Sequence, residues 1–174
     1  MDILNKPAPA TAEPDVEMKI RGLMMDPVTN MPIIVLKDVH SEIVLPIWVG
    51  MYEANAIALE IEKSTPPRPM THDLLRNAIR GLNARVEKVV VSELRDDTFY
   101  AVIWMHQDGE LVTMDARPSD ALALALRSDC PIYVSRQVLD NSKLTANGAQ
   151  NINSDELRRW LEGLGDEDMG RYKM

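Results

Sequence analysis

The chain has 174 residues, 45% of them hydrophobic and only 5% aromatic, with a formal net charge of −8 at pH 7. That length suits one domain with a real core, which must be built from Val, Ile, Leu, Ala and Met rather than rings. The acidic balance excludes a broad attraction for nucleic acid, so any polyanion has to be met by a local basic patch or a metal. Residues Met1 to Lys6 show no basic stretch followed by an apolar one, as a secretory signal requires. Apolar runs such as Ile33 to Leu36 and Ala121 to Leu126 are too short to cross a bilayer. One cysteine, Cys130, rules out an internal disulfide and fits a reducing compartment. A cytoplasmic location with no membrane partner is therefore expected. Cys130, between an apolar helix and Pro131, reads as a buried or half-buried thiol.

Residues 1 to 15 carry Pro7, Pro9 and Pro14 among Ala, Thr and acids and are expected to be a flexible leader. Val16 to Met25 predicts a first strand, stopped at Asp26-Pro27. Met31 to Lys37 predicts a second, apolar on both faces, and Ile43, Leu45, Ile47 and Val49 alternate through a third. Their short polar connection predicts antiparallel pairing. From Gly50 to about Lys63, Ala54, Ile57, Ala58 and Ile61 recur at helical spacing. Ser64 to Met70 holds three prolines and is expected to be extended loop. Thr71 predicts the N-cap of a second helix that buries Leu74, Leu75, Ala78, Ile79 and Leu82 and is closed by Gly81 to Asn83. Strands follow over Arg85 to Glu93 and Thr98 to His106, and Asp108-Gly109 turns into another ending near Asp115.

Pro118 fits the first turn of a helix, Ser119 to Arg127, that is Ala/Leu-rich nearly all round and so central. Pro131 to Val134 predicts a last short strand. Residues 136 to about 152 read as loop. Ser154 then caps an amphipathic helix with Leu157, Trp160, Leu161 and Leu164, before an acidic tail. The sum is a single α+β domain over 16–140, a largely antiparallel sheet with helices packed against it. A C-terminal loop, short helix and tail occupy 141–174. The two-faced second strand suggests a homo-oligomer, most simply a two-fold dimer.

Neither a zinc signature nor a nucleophile elbow is present. Polar residues concentrate instead at the entries to helices: Glu53, then Arg68, Thr71, His72 and Asp73, then Asp115, Arg117, Ser119 and Asp120 around Pro118. Helix N-termini attract anions, and Arg68 and Arg117 add guanidinium forks for phosphate, with Thr71 and Ser119 beside them. Glu53, Asp73, Asp115 and Asp120 offer oxygen ligands to a hard divalent ion such as magnesium or manganese, a usual means of activating water against a phosphodiester. His72, near a helix N-terminus, tends to stay neutral and so to accept a proton. The expected catalytic set is His72, Asp73, Glu53 and Asp120. The plain structural alternative is that Thr71, Asp73, Ser119 and Asp120 cap helices, Arg117 pairs with Asp115 or Asp120, and Glu53 is a surface residue.

The stretches Leu45-Pro-Ile-Trp-Val-Gly50, Glu53-Ala54, Pro67-Arg-Pro-Met-Thr-His-Asp-Leu-Leu75, Phe99-Tyr-Ala101, Asp115-Ala-Arg-Pro-Ser-Asp-Ala-Leu-Ala-Leu-Ala125 and Pro131-Ile-Tyr-Val134 occur in that order. Together, over about Met18 to Leu139, they resemble the bacterial bifunctional-nuclease domain family. The resemblance implies DNase and RNase activity, and so DNA or RNA as the partner. The leading reading is phosphodiester hydrolysis assisted by a divalent metal. The alternative is a non-catalytic oligomeric module that binds an anionic ligand or a protein partner through the same junctions. A third is an enzyme acting on a small phosphorylated compound. Convergence of the acids and arginines in one place separates catalysis from a scatter of helix caps.

Overall fold

A computed structural model describes residues 14–26 and 29–148, with side chains through 142. The expected leader, but for Pro14 and Asp15, lies outside the described residues, as do the helix capped by Ser154 and the acidic tail. Seven strands and four helices follow in chain order: β1 (Val16–Met25), β2 (Pro32–Asp38), β3 (Val44–Trp48), α1 (Met51–Ile61), α2 (Thr71–Gly81), β4 (Ala84–Arg95), β5 (Thr98–Gln107), β6 (Glu110–Ala116), α3 (Pro118–Ser128), β7 (Ile132–Val134) and α4 (Arg136–Gly148).

The strands form one sheet in the order β3-β2-β1-β7-β4-β5-β6. It consists of two antiparallel meanders, β1-β2-β3 and β4-β5-β6, with β7 between them. Two-residue turns set the second meander. Asp96 and Asp97 both take positive φ (49° and 57°), as do Asp108 and Gly109 (50° and 86°). This is the turn whose twist matches that of paired strands, and Asp and Gly tolerate it best. β7 runs antiparallel to β1 and parallel to β4. The sheet is thus largely antiparallel and the fold α+β.

Insertion of β7 dictates the place of α3. The chain leaves β6 at one edge of the sheet and must reach the slot between β4 and β1. It therefore crosses over β5 and β4, both of which α3 touches, and α1 and α2 pack against it in turn. A helix enclosed by a sheet and two neighbours has almost no wet side, which is why it reads Pro-Ser-Asp-Ala-Leu-Ala-Leu-Ala with small and branched residues all round. Leu122, Ala123 and Leu124 are completely buried. They join Ile34, Leu36, Leu45, Val89, Val91 and Ile103 in one core cluster to which all four helices contribute.

Three expectations are corrected. Residues from 136 to 148 are helix, not loop. The Ser135 hydroxyl accepts from the Val138 amide at 3.3 Å, and Val138 and Leu139 pack into the core. The amphipathic signal was only those two residues wide, too short to read as periodic. Secondly, α2 begins at Thr71 with Met70 as its cap, because Asp73 Oδ2 accepts from the Met70 amide at 2.8 Å. Thirdly, α2 buries only part of its expected face: Ile79 is in the core and Leu75 packs against it, but Leu74 and Leu82 are 63% and 66% exposed, Ala78 is exposed, and His72 is buried instead. Polar bonds from His72, Asp73 and Arg76 to α3 roll the helix away from its greasy side.

Ile33, Ile34, Val35 and Leu36 of β2 are each 3% exposed or less. Both faces of this strand are buried within one chain, so its apolar pattern does not by itself ask for a second copy.

Leu124→Ala is expected to destabilise the domain by about 2–5 kcal/mol, the lost transfer energy plus a cavity between helix and sheet. Urea unfolding of the two proteins measures it. A loss of less than about 1 kcal/mol, the range of surface positions, would contradict the enclosure of α3.

Candidate functional site

The N-termini of α1, α2 and α3 meet, and three of the expected residues are joined there through a fourth. Arg117, the residue before Pro118, has extended backbone (φ −68°, ψ 144°), as a residue preceding proline must. Its Nε donates to Asp120 Oδ2 at 2.7 Å and its Nη1 to Glu53 Oε1 at 2.8 Å. The other oxygen of Asp120, Oδ1, lies 2.9 Å from His72 Nε2. Glu53, Arg117, Asp120 and His72 thus form one continuous chain across three helices distant in sequence. Gly50, the cap of α1, makes room for it, because a Cβ there would collide with the Glu53 carboxylate.

A second, buried tie lies beside this chain and sequence reading missed it. Arg127, in the last turn of α3, has a side chain only 2% exposed. Its Nε donates to Asp73 Oδ1 at 2.8 Å, Nη1 to the Ala123 carbonyl at 3.0 Å and Nη2 to the Ala56 carbonyl at 2.9 Å. Arg76 of α2 donates to the Arg127 carbonyl at 3.4 Å. One signal could have found it. Asp120 and Arg127 are seven apart on a buried helix and so share a face, and the adjacent pair His72–Asp73 is complementary to them in charge and polarity.

The remaining expected residues do not join the chain. Arg68 and Thr71 are exposed, and Asp115 is exposed near the end of β6, opposite Val102. Ser119 is 7% exposed, in the first turn of α3. Among the described residues no three His, Cys, Asp or Glu side chains gather as a metal-ligand set. The acids proposed as ligands are split: Asp73 faces Arg127, Asp115 stands apart on β6, and Glu53 and Asp120 are both held by Arg117. As they stand, these residues do not fit magnesium or manganese.

The electrostatics follow the bonds. Burial pushes the Asp120 carboxyl up, but hydrogen bonds from Arg117 and His72 outweigh it and hold the group below the ordinary carboxylate range. At Asp73 burial is likewise overcome, by the Met70 amide and Arg127. Asp120 raises the pKa of Arg117 above its usual value. Cys130, by contrast, is pushed up to about 11 by burial, which leaves an unreactive thiol.

Because Asp73 and Asp120 have lowered pKa values in the folded state, each adds stability above the ordinary carboxylate pKa of about 3.9 that is lost as pH falls through the folded value. The free energy of unfolding should therefore drop as pH falls below about 4, and less steeply in Asp73→Asn; equal slopes in urea titrations of the two proteins would contradict this. Arg127→Met, which strands a mostly buried carboxylate, should cost about 3–5 kcal/mol near neutral pH.

The geometry can be set beside known proteins. An uncharacterized protein of Mycobacterium tuberculosis is 39% identical over 156 residues, 85% of this chain and 92% of the relative. Bifunctional nuclease 1 of Oryza sativa subsp. indica is 28% identical over 115 residues, 64% of this chain but 35% of the rice protein. Bifunctional nuclease 2 of Oryza sativa subsp. japonica is 29% identical over 111 residues, 62% of this chain and 34% of that protein. The model of the bifunctional nuclease domain matches residues 34–147. That span runs from β2 to the end of α4 and takes in every member of the Glu53–Arg117–Asp120–His72 chain and of the Arg127–Asp73 tie. With the match covering most of the described fold and all of its polar centre, this chain belongs to the bifunctional nuclease domain family.

Proposed function

We propose that this protein hydrolyses phosphodiester bonds of DNA or RNA at the junction of α1, α2 and α3. The observation that carries the reading is the continuous hydrogen-bonded chain from Glu53 to His72, which holds between Glu53 and Asp120 a guanidinium whose side chain is 65% exposed. Two of the Arg117 nitrogens are fixed by carboxylates, which orient the planar group, and the hydrogens of Nη2 with the second one on Nη1 remain as donors for a phosphate oxygen. Asp120 does for His72 what an orienting carboxylate does in other hydrolases. With Nε2–H donating to Asp120, the other ring nitrogen, Nδ1, is left to act as the base.

In this scheme a water oxygen bonds to phosphorus, its proton passes to His72 Nδ1, and the P–O ester bond breaks. The leaving oxygen then takes the proton back from His72. No metal enters that sequence. In a metal-assisted route Glu53 and Asp120, once released by Arg117, would be the residues to hold magnesium or manganese, which would supply water activation and charge neutralisation. The same four residues also support a non-catalytic reading, an oligomeric module that binds an anionic ligand or a protein partner through these junctions, and the net charge of −8 favours it. The exposed row Leu74, Ala78 and Leu82 on α2 supports a homo-oligomer, most simply a two-fold dimer. A cytoplasmic setting is proposed from the single cysteine.

The test is cleavage of labelled DNA and RNA oligonucleotides by the purified chain, with and without EDTA. Arg117→Lys should lower the cleavage rate at least about tenfold, since an ammonium cannot reproduce the fork, while its melting temperature stays near the parent's. Cleavage in EDTA should persist; its abolition would replace the metal-free step with the metal route. Unaltered cleavage by well-folded Arg117→Lys and Asp120→Asn would remove catalysis from this site.

A further inference from the structure

A chain of net charge −8 cannot hold a polyanion by its overall field. At the site described above, the exposed guanidinium already has acids beside it. Arg117 is bound by both Glu53 and Asp120. Phosphate contacts alone therefore give a nucleic acid little net attraction, and affinity has to come from another part of the substrate. The parts of a nucleic acid that carry no charge are its bases.

The surface next to the site is suited to them. Of the aromatic side chains among the described residues, Trp48, Phe99, Tyr100, Trp104 and Tyr133 are half-buried, and Tyr52 alone stands out, 89% exposed. It lies in the first turn of α1, one residue before the Glu53 that holds Arg117. Met51 is 53% exposed on one side of it. At the opposite end of the hydrogen-bonded chain Met70, two residues before His72, is 44% exposed. An open ring and two open thioethers thus belong to the same helix entries as Glu53 and His72. None of these belongs to the core cluster, and a ring this open, in the turn that carries Glu53, has its face available to a flat apolar ligand.

We infer that Tyr52, with Met51 beside it, stacks an unpaired base of the substrate while Arg117 holds the neighbouring phosphate, which makes single-stranded nucleic acid the substrate class. The inference rests on the reading of this site as a nuclease centre and adds to it a positioning surface. A duplex keeps its bases stacked on one another and offers no free face to a tyrosine; a single strand does, and stacking is indifferent to which base is present. A single exposed ring is also sequence-tolerant by nature, so no base preference is expected.

The experiment uses the full chain and fluorescence anisotropy with three labelled probes: a single-stranded DNA 12-mer, its RNA counterpart and a blunt DNA duplex. Wild type and Tyr52→Phe should bind single strands alike and more tightly than the duplex. Tyr52→Ala should raise Kd for either single strand about 5- to 150-fold, the range for one lost base stack, leave duplex binding unchanged, and keep the melting temperature of wild type. Tighter binding of RNA than DNA, or the reverse, would name the sugar without altering the inference. Single-strand affinity unchanged in Tyr52→Ala, or equal wild-type affinity for duplex, would overturn it. Cleavage assays on the same proteins separate the two levels. Loss of cleavage in Arg117→Lys beside intact single-strand affinity in Tyr52→Ala would leave the nuclease centre standing and discard the stacking surface. Tyr52-dependent binding with no cleavage by wild type would do the reverse.

Discussion

Burying a guanidinium costs several kcal/mol unless its donors are paired, and α3 takes its place across the sheet only with Arg127 inside. The cost is met by a carboxylate and two main-chain carbonyls: Asp73 from α2, Ala56 from α1 and Ala123 from α3 itself. These bonds do more than neutralise a charge. Three helices must present particular atoms to one planar group, so their relative positions are fixed far more tightly than by contact between leucines, which slide with little penalty. The rest of the arrangement depends on this tie.

The polar chain from Glu53 to His72 inherits its geometry. His72 and Asp73 are neighbours, so once Asp73 is locked to Arg127 the adjacent histidine is aimed at Asp120, about two turns along the same face of α3. The roll of α2 that leaves Leu74 and Leu82 in water belongs to the same constraint. The domain gives up apolar burial on one side of the helix to bring a histidine and an aspartate to the other. A division of roles follows. Arg127, 2% exposed, is structural, and Arg117, 65% exposed, faces solvent and whatever anion arrives there. Both are arginines beside an aspartate; burial separates them.

Charge shapes the functional reading in the same way. The chain is acidic overall, Glu53, Asp73 and Asp120 are already engaged by arginines, and no ligand set forms among the described residues. These facts favour a centre that works by an oriented histidine and a fixed guanidinium, fed by an uncharged contact at its rim. Membership of the bifunctional nuclease domain family supplies the chemical class, and the hydrogen-bonded chain supplies the atoms that could carry it.

Much of this was legible in the amino-acid sequence because it is local. Alternation in Ile43 to Val49, the Asp108-Gly109 turn, proline at the head of α3 and the all-round Ala/Leu composition of that helix each follow from a handful of neighbouring residues. So did the interest of Glu53, His72, Arg117 and Asp120, which mark helix entries. What stayed hidden was non-local. The row Leu74, Ala78 and Leu82 read as a buried face because periodicity reports which residues share a side, not which side the partner occupies. Arg127 entered only as the last residue of a helix, since nothing nearby in sequence announces Asp73, 54 residues away. The parallel insertion of β7 between β1 and β4 likewise rests on pairings across the chain. Local sequence determined the elements and the residue types at their junctions; only tertiary packing decided which junctions met, because the pairing of a buried charge is settled by whatever the fold brings within hydrogen-bonding distance.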